Sequence, residues 1–205
     1  MKVYKNVSEF VSAKQVFCGI DVDKNYWVLC FICDGEVVEE CRMLAIYKNL
    51  SAHLQKHYSK SREIKLVYEA GFSGFGLYRN LKNDGYNCRI TPPALLPQDG
   101  SKVKTDRVDA RKLAFYLSAN LLKSIWVPPT WIEADRAVCR RRSQLVIHQT
   151  RCKNEIHAFL KLRNLKKPEE IQTNWSRAHL NWLSSLDFEE KSDAFVFEQL
   201  IDRVC

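Results

Sequence analysis

The sequence predicts an α/β fold in the order βββαβαβα, followed by a long helix or coiled coil and further helices. Two observations carry that expectation. Five short apolar runs lie in the first ninety residues, and helical periodicity begins only after the third of them. Then Trp126-Val127-Pro128-Pro129 interrupts the pattern, and a basic, heptad-like stretch follows it. At 205 residues the chain has room for one good core or two small domains.

Val16-Phe17-Cys18-Gly19-Ile20-Asp21 opens the first strand, over residues 16–22. A short polar turn, Asp23-Lys24-Asn25, leads to a second strand over 26–33. Asp34-Gly35 is a hairpin signal, so residues 36–43 should return antiparallel. Tyr47, Leu50, Leu54 and Tyr58 recur at helical spacing and make 46–58 a helix. Ile64 to Glu69 is a fourth strand. Gly71, Gly74 and Gly76 then turn the chain into a helix over 75–83, which Gly85 stops. The fifth strand, Tyr86 to Thr91, ends at Pro92-Pro93. Residues 94–104 read as an irregular loop, and a helix runs from 105 to about 121. Three meandering strands followed by two βα units is the ribonuclease H order, with the first strand central and the fourth beside it.

Beyond the proline pair, residues 131–165 read as one basic helix. Val138, Leu145, Cys152 and Phe159 repeat every seven residues, with Ile156 and Leu162 alongside. That thin seam can pack within the chain or against a second protomer, and the second is slightly favoured. Pro168 interrupts the helix. Two amphipathic helices are expected over 169–205, and the pattern stops without a capping signal. The segments are therefore 1–126, 127–167 and 168–205.

The net charge of +8 is uneven. Residues 100–167 hold sixteen Lys and Arg against five Asp and Glu, whereas the remainder holds sixteen against nineteen. A basic middle third points to a polyanion, nucleic acid first. The candidate contacts are Lys102, Lys104, Arg107, Arg111, Lys112, Arg140, Arg141, Arg142, Arg151 and Lys153. No apolar run approaches the roughly 20 residues of a membrane span, and Met1-Lys2-Val3-Tyr4-Lys5 lacks a signal-peptide core. A cytoplasmic location without membrane contact is expected.

Eight cysteines sit mostly among apolar neighbours, as reduced core thiols do. Cys30 and Cys33 form a C-x-x-C pattern inside a strand, with no second pair at zinc-finger spacing. His53 and His57 are four apart on a helix, with no third ligand evident. Gly71-Phe72-Ser73-Gly74-Phe75-Gly76 lacks the Lys-Ser/Thr ending of a phosphate loop and reads as a close turn.

Four acids carry the chemistry. Asp21 and Glu69 close apolar strands, and Asp106 and Asp109 share one face at the start of a helix. A hard cation such as Mg²⁺ wants oxygen ligands. Two such ions about 3.5–4 Å apart can activate a water and stabilise a leaving oxygen in phosphodiester cleavage. Arg107, Arg111 and Lys112 flank the acids and could hold phosphates.

Gly19-Ile20-Asp21-Val22-Asp23-Lys24, Tyr68-Glu69-Ala70-Gly71 and Lys104-Thr105-Asp106-Arg107-Val108-Asp109-Ala110 resemble, in order, the three signatures of the DEDD transposases of bacterial insertion sequences. The resemblance covers nearly the whole chain and implies a RuvC-like nuclease domain over 1–126. It further implies that Asp21, Glu69, Asp106 and Asp109 are a catalytic tetrad holding two Mg²⁺ or Mn²⁺ ions. It also implies DNA recombination or inversion, guided in some members by a structured noncoding RNA, with dimers and tetramers joined through the long helix. Members continue into a C-terminal domain bearing a nucleophilic serine, and none of Ser143, Ser176, Ser184 or Ser185 has that context. The chain is thus expected to be a truncated piece. The competing reading is a fragment that assembles on nucleic acid without cutting it.

Overall fold

The structure is a computed structural model. It describes residues 7–95 and 105–204, and divides into two compact units, Met1–Val127 and Pro128–Cys205.

The first unit is an α/β fold built on a mixed five-stranded sheet. Helix α1 (Val7–Phe10) precedes β1 (Gln15–Val22), β2 (Tyr26–Cys33) and β3 (Glu36–Leu44). Helix α2 (Tyr47–Tyr58), β4 (Glu63–Glu69), α3 (Gly76–Asn83) and β5 (Asn87–Thr91) follow. After a single 3₁₀ turn, Pro93–Leu95, comes α4 (Asp106–Ser118). The strand order is β3-β2-β1-β4-β5. β1 pairs antiparallel with β2 and parallel with β4, so it lies at the centre.

Alternation sends side chains to two faces. On one, Leu29, Phe31, Leu66 and Tyr68 form a core with Leu50 and Leu54 of α2 and Leu77 and Leu81 of α3. On the other, Val28, Cys30 and Ile32 meet Ala110 and Ala114 of α4, while Val67 packs on Leu113 and Leu117. Each of the Val, Leu, Ile and Phe side chains among them contributes roughly 1.5–3 kcal/mol when fully buried. Because β2 is covered on both sides, seven consecutive residues, Trp27 to Cys33, are buried. Cys30 and Cys33 belong to opposite faces, so this C-x-x-C pair cannot share one ion.

The β2–β3 connection is a two-residue hairpin, with φ of 50° at Asp34 and 79° at Gly35, the left-handed pair that matches strand twist. The register of β3 then slips by one residue. Phe31 faces Glu39 while the next residue, Ile32, faces Val37, and Val38 is the extra residue of a bulge. Val37 packs with the α4 face and Val38 with the α2 face.

Two helices end earlier than their periodicity suggests. α4 stops at Ser118 rather than about 121, and the long helix stops at Leu162 rather than 165. In each the chain turns left-handed at an asparagine, Asn120 with φ 55° and Asn164 with φ 53°. The next amide reaches back to close the last turn, Leu121 N–H to Tyr116 O and Leu165 N–H to Leu160 O. Gly85 ends α3 in the same way. This is the Schellman C-cap, in which an αL residue lets the chain satisfy orphan carbonyls.

The second unit contains α5 (Thr130–Leu162), α6 (Arg177–Ser184) and α7 (Lys191–Ile201). Ile156, Phe159 and Leu160 of α5 pack with Leu183 of α6 and Phe197 of α7. Arg163 clamps Asp193 through two guanidinium hydrogen bonds. The expected heptad seam is therefore divided. Cys152, Ile156 and Phe159 are buried inside the unit, whereas Val138, Leu145 and Leu162 are exposed. Every residue from 134 to 151 is exposed. Among the described residues, no helix is long and apolar enough to cross a membrane.

Gly19 permits the closest approach in the first unit. A Cβ there would collide with Ala110 O, and would lie 2.5 Å from Ala114 N and 2.8 Å from Leu113 Cβ. Two of those atoms are helix backbone and cannot swing aside. Gly19→Ala should therefore cost at least about 2 kcal/mol in urea unfolding, while Gly71→Ala, with no atom near its Cβ, should change stability by less than about 1 kcal/mol.

Candidate active site

The last rung of the β1–β4 ladder pairs Ile20 with Tyr68. Asp21 and Glu69 each stand one residue beyond it, on adjacent parallel strands. Gly19 and Val67 form the rung before, and both face α4. Since alternate residues share a face, Asp21 and Glu69 point to the α4 side as well. Both are half-buried.

α4 lies against β1, with Ala110 over Gly19. Thr105 caps it: its hydroxyl accepts a hydrogen bond from Val108 N–H at 3.4 Å, and its carbonyl accepts one from Asp109 N–H at 3.0 Å. Such a cap satisfies amides that the first turn leaves orphaned. Asp106 and Asp109 occupy that first turn, where the helix dipole favours negative charge. Asp109 is half-buried next to Ala110, the residue lying over Gly19, and Asp106 is exposed. The fold sets Asp21 and Glu69 at adjacent strand ends, and the α4 residue that follows Asp109 lies over Gly19, two residues before Asp21. The carboxylates are not closed into a tight cluster: no three of them have oxygens within 4.8 Å of one another.

Thr91 pairs with Glu69 across β4 and β5, and sequence reasoning missed it. Its side chain is buried, and its hydroxyl has no hydrogen-bond partner among the described residues. A threonine ending an apolar strand gives no signal that separates this position from an ordinary β-branched residue.

The nominated basic residues divide into several groups. Arg107 and Arg140, Arg141 and Arg142 are exposed, and Lys112 is half-buried. Arg111 is committed to Glu40 of β3, at 2.8 Å through Nε and 2.7 Å through Nη2. Arg151 pairs with Glu155 at 3.0 Å, and the Lys153 ammonium lies 5.2 Å above the Trp175 ring. Lys102 and Lys104 lie outside the described residues. An open groove of about 810 Å³ on the second unit is lined by Arg141, Arg142, His148 and Arg151, and also by Arg203. Arg203 is an addition to the expected set, because it is separated in sequence from the basic run.

Arg111 ties α4 to β3. Its partner Glu40 has a side chain only 8% exposed. Burial, and then the Glu40 charge, push the neighbouring Cys30 thiol up to about 12. On the opposite face of β3, Glu39, Cys41 and His53 bring their ligand atoms within 4.8 Å of one another. They are the one such group of three among the described residues. Burial alone would raise the Glu39 carboxyl, but hydrogen bonds with His53 and Tyr58 outweigh it and hold the group below the usual range.

Residues 18–164 match the profile of a family described as transposase, the DEDD transposases of the IS110 type. The chain is 28% identical over 195 residues to a protein named as transposase y4qE in Sinorhizobium fredii, covering 93% of this chain and 50% of that protein. It is 29% identical over 195 residues to the transposase for insertion sequence element IS1533 of Leptospira borgpetersenii, covering 93% and 56%. The chain therefore spans about half the length of these curated relatives. Among solved structures, the large terminase nuclease from thermophilic phage G20c with bound zinc overlaps 50% of this chain and 80% of its own, with 18% identity and a TM-score of 0.39. That overlap is too loose to carry detail.

If Arg111 is structural, Arg111→Ala should strand the buried Glu40 carboxylate and lower unfolding stability by about 1–2 kcal/mol, below the cost of a fully buried pair because the guanidinium is half exposed. Arg107→Ala should stay within about 0.5 kcal/mol. Paired urea titrations separate the two roles.

Proposed function

Because the chain belongs to the DEDD transposase family, we propose that its first unit is a ribonuclease H-like, RuvC-like nuclease centre that performs metal-dependent phosphodiester chemistry on DNA during transposition. The observation that carries this reading is the adjacent ends of β1 and β4, with Ala110 of α4, the residue after Asp109, packed over Gly19. The strand order β3-β2-β1-β4-β5, with β4 and β5 parallel to the central β1, supports it.

The proposed catalytic groups are Asp21, Glu69, Asp106 and Asp109. As a donor set they fit Mg²⁺ or Mn²⁺, being carboxylate oxygens without sulfur or nitrogen. When bound, such ions supply Lewis acidity and an activated water to a phosphodiester. The chain's own work is positional. Asp21 and Glu69 are fixed by ladder hydrogen bonds, and Asp106 and Asp109 by a capped helix, so the acids ride on rigid elements rather than loops. Arg107, exposed beside Asp106, is suited to a substrate phosphate. Arg140, Arg141 and Arg142 on α5 are proposed contacts to the phosphates of DNA or of a structured guide RNA. The exposed Val138 and Leu145, seven residues apart on one face of α5, are the proposed protomer contact. The nucleophilic serine of strand exchange would come from the part of the relatives that this chain does not span.

A second reading rests on the exposed arginines of α5: the chain binds and assembles on nucleic acid without cutting it.

Thermal melting with and without Mn²⁺ tests the acidic site. The wild-type chain should gain several degrees, since a ligand at 100 times its Kd stabilises the native state by about 2.7 kcal/mol. Asp21→Asn and Asp106→Asn should lose that gain, with folding of each variant checked by far-ultraviolet circular dichroism. An unchanged gain in both variants rejects the tetrad.

DNA binding across salt tests the basic surface. The logarithmic slope should be steep, and replacing Arg140, Arg141 and Arg142 by Ala should make it shallower by about 1 for each phosphate no longer neutralised. A flat dependence rejects nucleic-acid binding by this helix. Binding without Mn²⁺-dependent cleavage favours the second reading.

A further inference from the structure

We propose that Glu39, Cys41 and His53 form a binding site for a zinc-class divalent cation on the α2 face of the sheet, separate from the acidic tetrad.

The geometry is that of a site for one ion. Glu39 Oε2 lies 3.1 Å from His53 Nε2, Cys41 Sγ lies 3.9 Å from the same nitrogen, and all three donors fall within 4.8 Å. Around tetrahedral zinc, with bonds of about 2.0–2.3 Å, neighbouring donors are about 3.3–3.6 Å apart. One ion therefore fits between these three donors with small side-chain shifts. The fourth position falls to water or to His57, whose ring is 4.7 Å from that of His53.

The donors are chemically different from the tetrad. Thiolate, imidazole and carboxylate suit zinc and its neighbours in the first transition row, and do not suit Mg²⁺. The scaffold also holds them. Two residues apart on β3, Glu39 and Cys41 share a face, and the bulge at Val38 decides which face that is. Without the extra residue, Glu39 would follow Val37 onto the α4 side. His53 sits mid-helix on α2.

Outer contacts fix the first ones. The Tyr58 hydroxyl donates to Glu39 Oε2 at 2.6 Å, and its ring stacks on Phe31 with centroids 4.3 Å apart. A hydrogen bond to a ligating carboxylate is the usual means of orienting it, and it leaves further lone pairs on Glu39 for a cation. The His53 and Glu39 side chains are 18% and 21% exposed, sheltered but open enough for an ion to enter.

The test is Co²⁺ titration of the metal-stripped full chain under reducing conditions, read by absorption. The expected result is a thiolate-to-cobalt charge-transfer band in the near ultraviolet that saturates at one equivalent and is erased by Zn²⁺. Cys41→Ser should abolish the band. Glu39→Gln, which preserves side-chain shape, and His53→Gln, which removes the imidazole, should each weaken Co²⁺ binding at least about tenfold, with folding checked by far-ultraviolet circular dichroism. Asp21→Asn should leave the band intact, which separates this site from the acidic tetrad. Absence of the band in the wild-type chain overturns the proposal. So does a band that survives Cys41→Ser, or one that disappears with the exposed thiol in Cys139→Ser.

Discussion

The first unit depends on one missing side chain. Gly19 lets the backbone of α4 lie against the central strand, with the Ala110 carbonyl and the Ala114 amide where any Cβ would stand. Ala110 and Ala114, four apart, present a small helix surface at the same contact. The close approach sets where α4 crosses the sheet, and therefore where its first turn ends up relative to the strand ends two residues beyond Gly19. An acidic residue at position 21 or 106 has meaning only because this packing fixes how near the helix start comes to β1. The glycine stands inside an apolar strand, a position where glycine normally weakens structure, and its value lies in the helix it admits.

Much of this was legible in the residues. Apolar runs gave the strands to within a residue or two, Asp34-Gly35 gave the hairpin, and the proline pair gave the change of character at 128. Asp21 and Glu69 were readable as strand-end acids because each closes a run that alternation would otherwise continue. The C-terminal ends of α4 and α5 were not readable from hydrophobic period. Asn120 and Asn164 look like ordinary polar helix positions until the left-handed turn and its returning amide are seen.

The bulge in β3 was hidden for a different reason. In Val37-Val38-Glu39-Glu40-Cys41 the polar and apolar residues come in pairs, which fits either register. Only the three-dimensional pairing assigns Glu40 to Arg111 and Glu39 to His53. This is also why His53 and His57 look, in sequence, like a pair without a third ligand: the other two donors come from a strand a dozen residues upstream, aimed by a one-residue slip. The two halves of the heptad seam of α5 have different surroundings. Residues 152–160 find α6 and α7, while residues 134–151 are exposed.

The slip in β3 has a consequence for solubility. Among the described residues β3 is an outer strand of the sheet, and an outer strand with a regular row of amides and carbonyls is a template for pairing with another chain. An extra residue breaks the repeat, twists the strand locally and leaves no register in which a straight intruding strand could match both ends. The exposed Glu36 and Arg42 add charges that such an intruder would have to desolvate. A one-residue insertion that sorts side chains between two faces thereby also guards the rim of the sheet against aggregation.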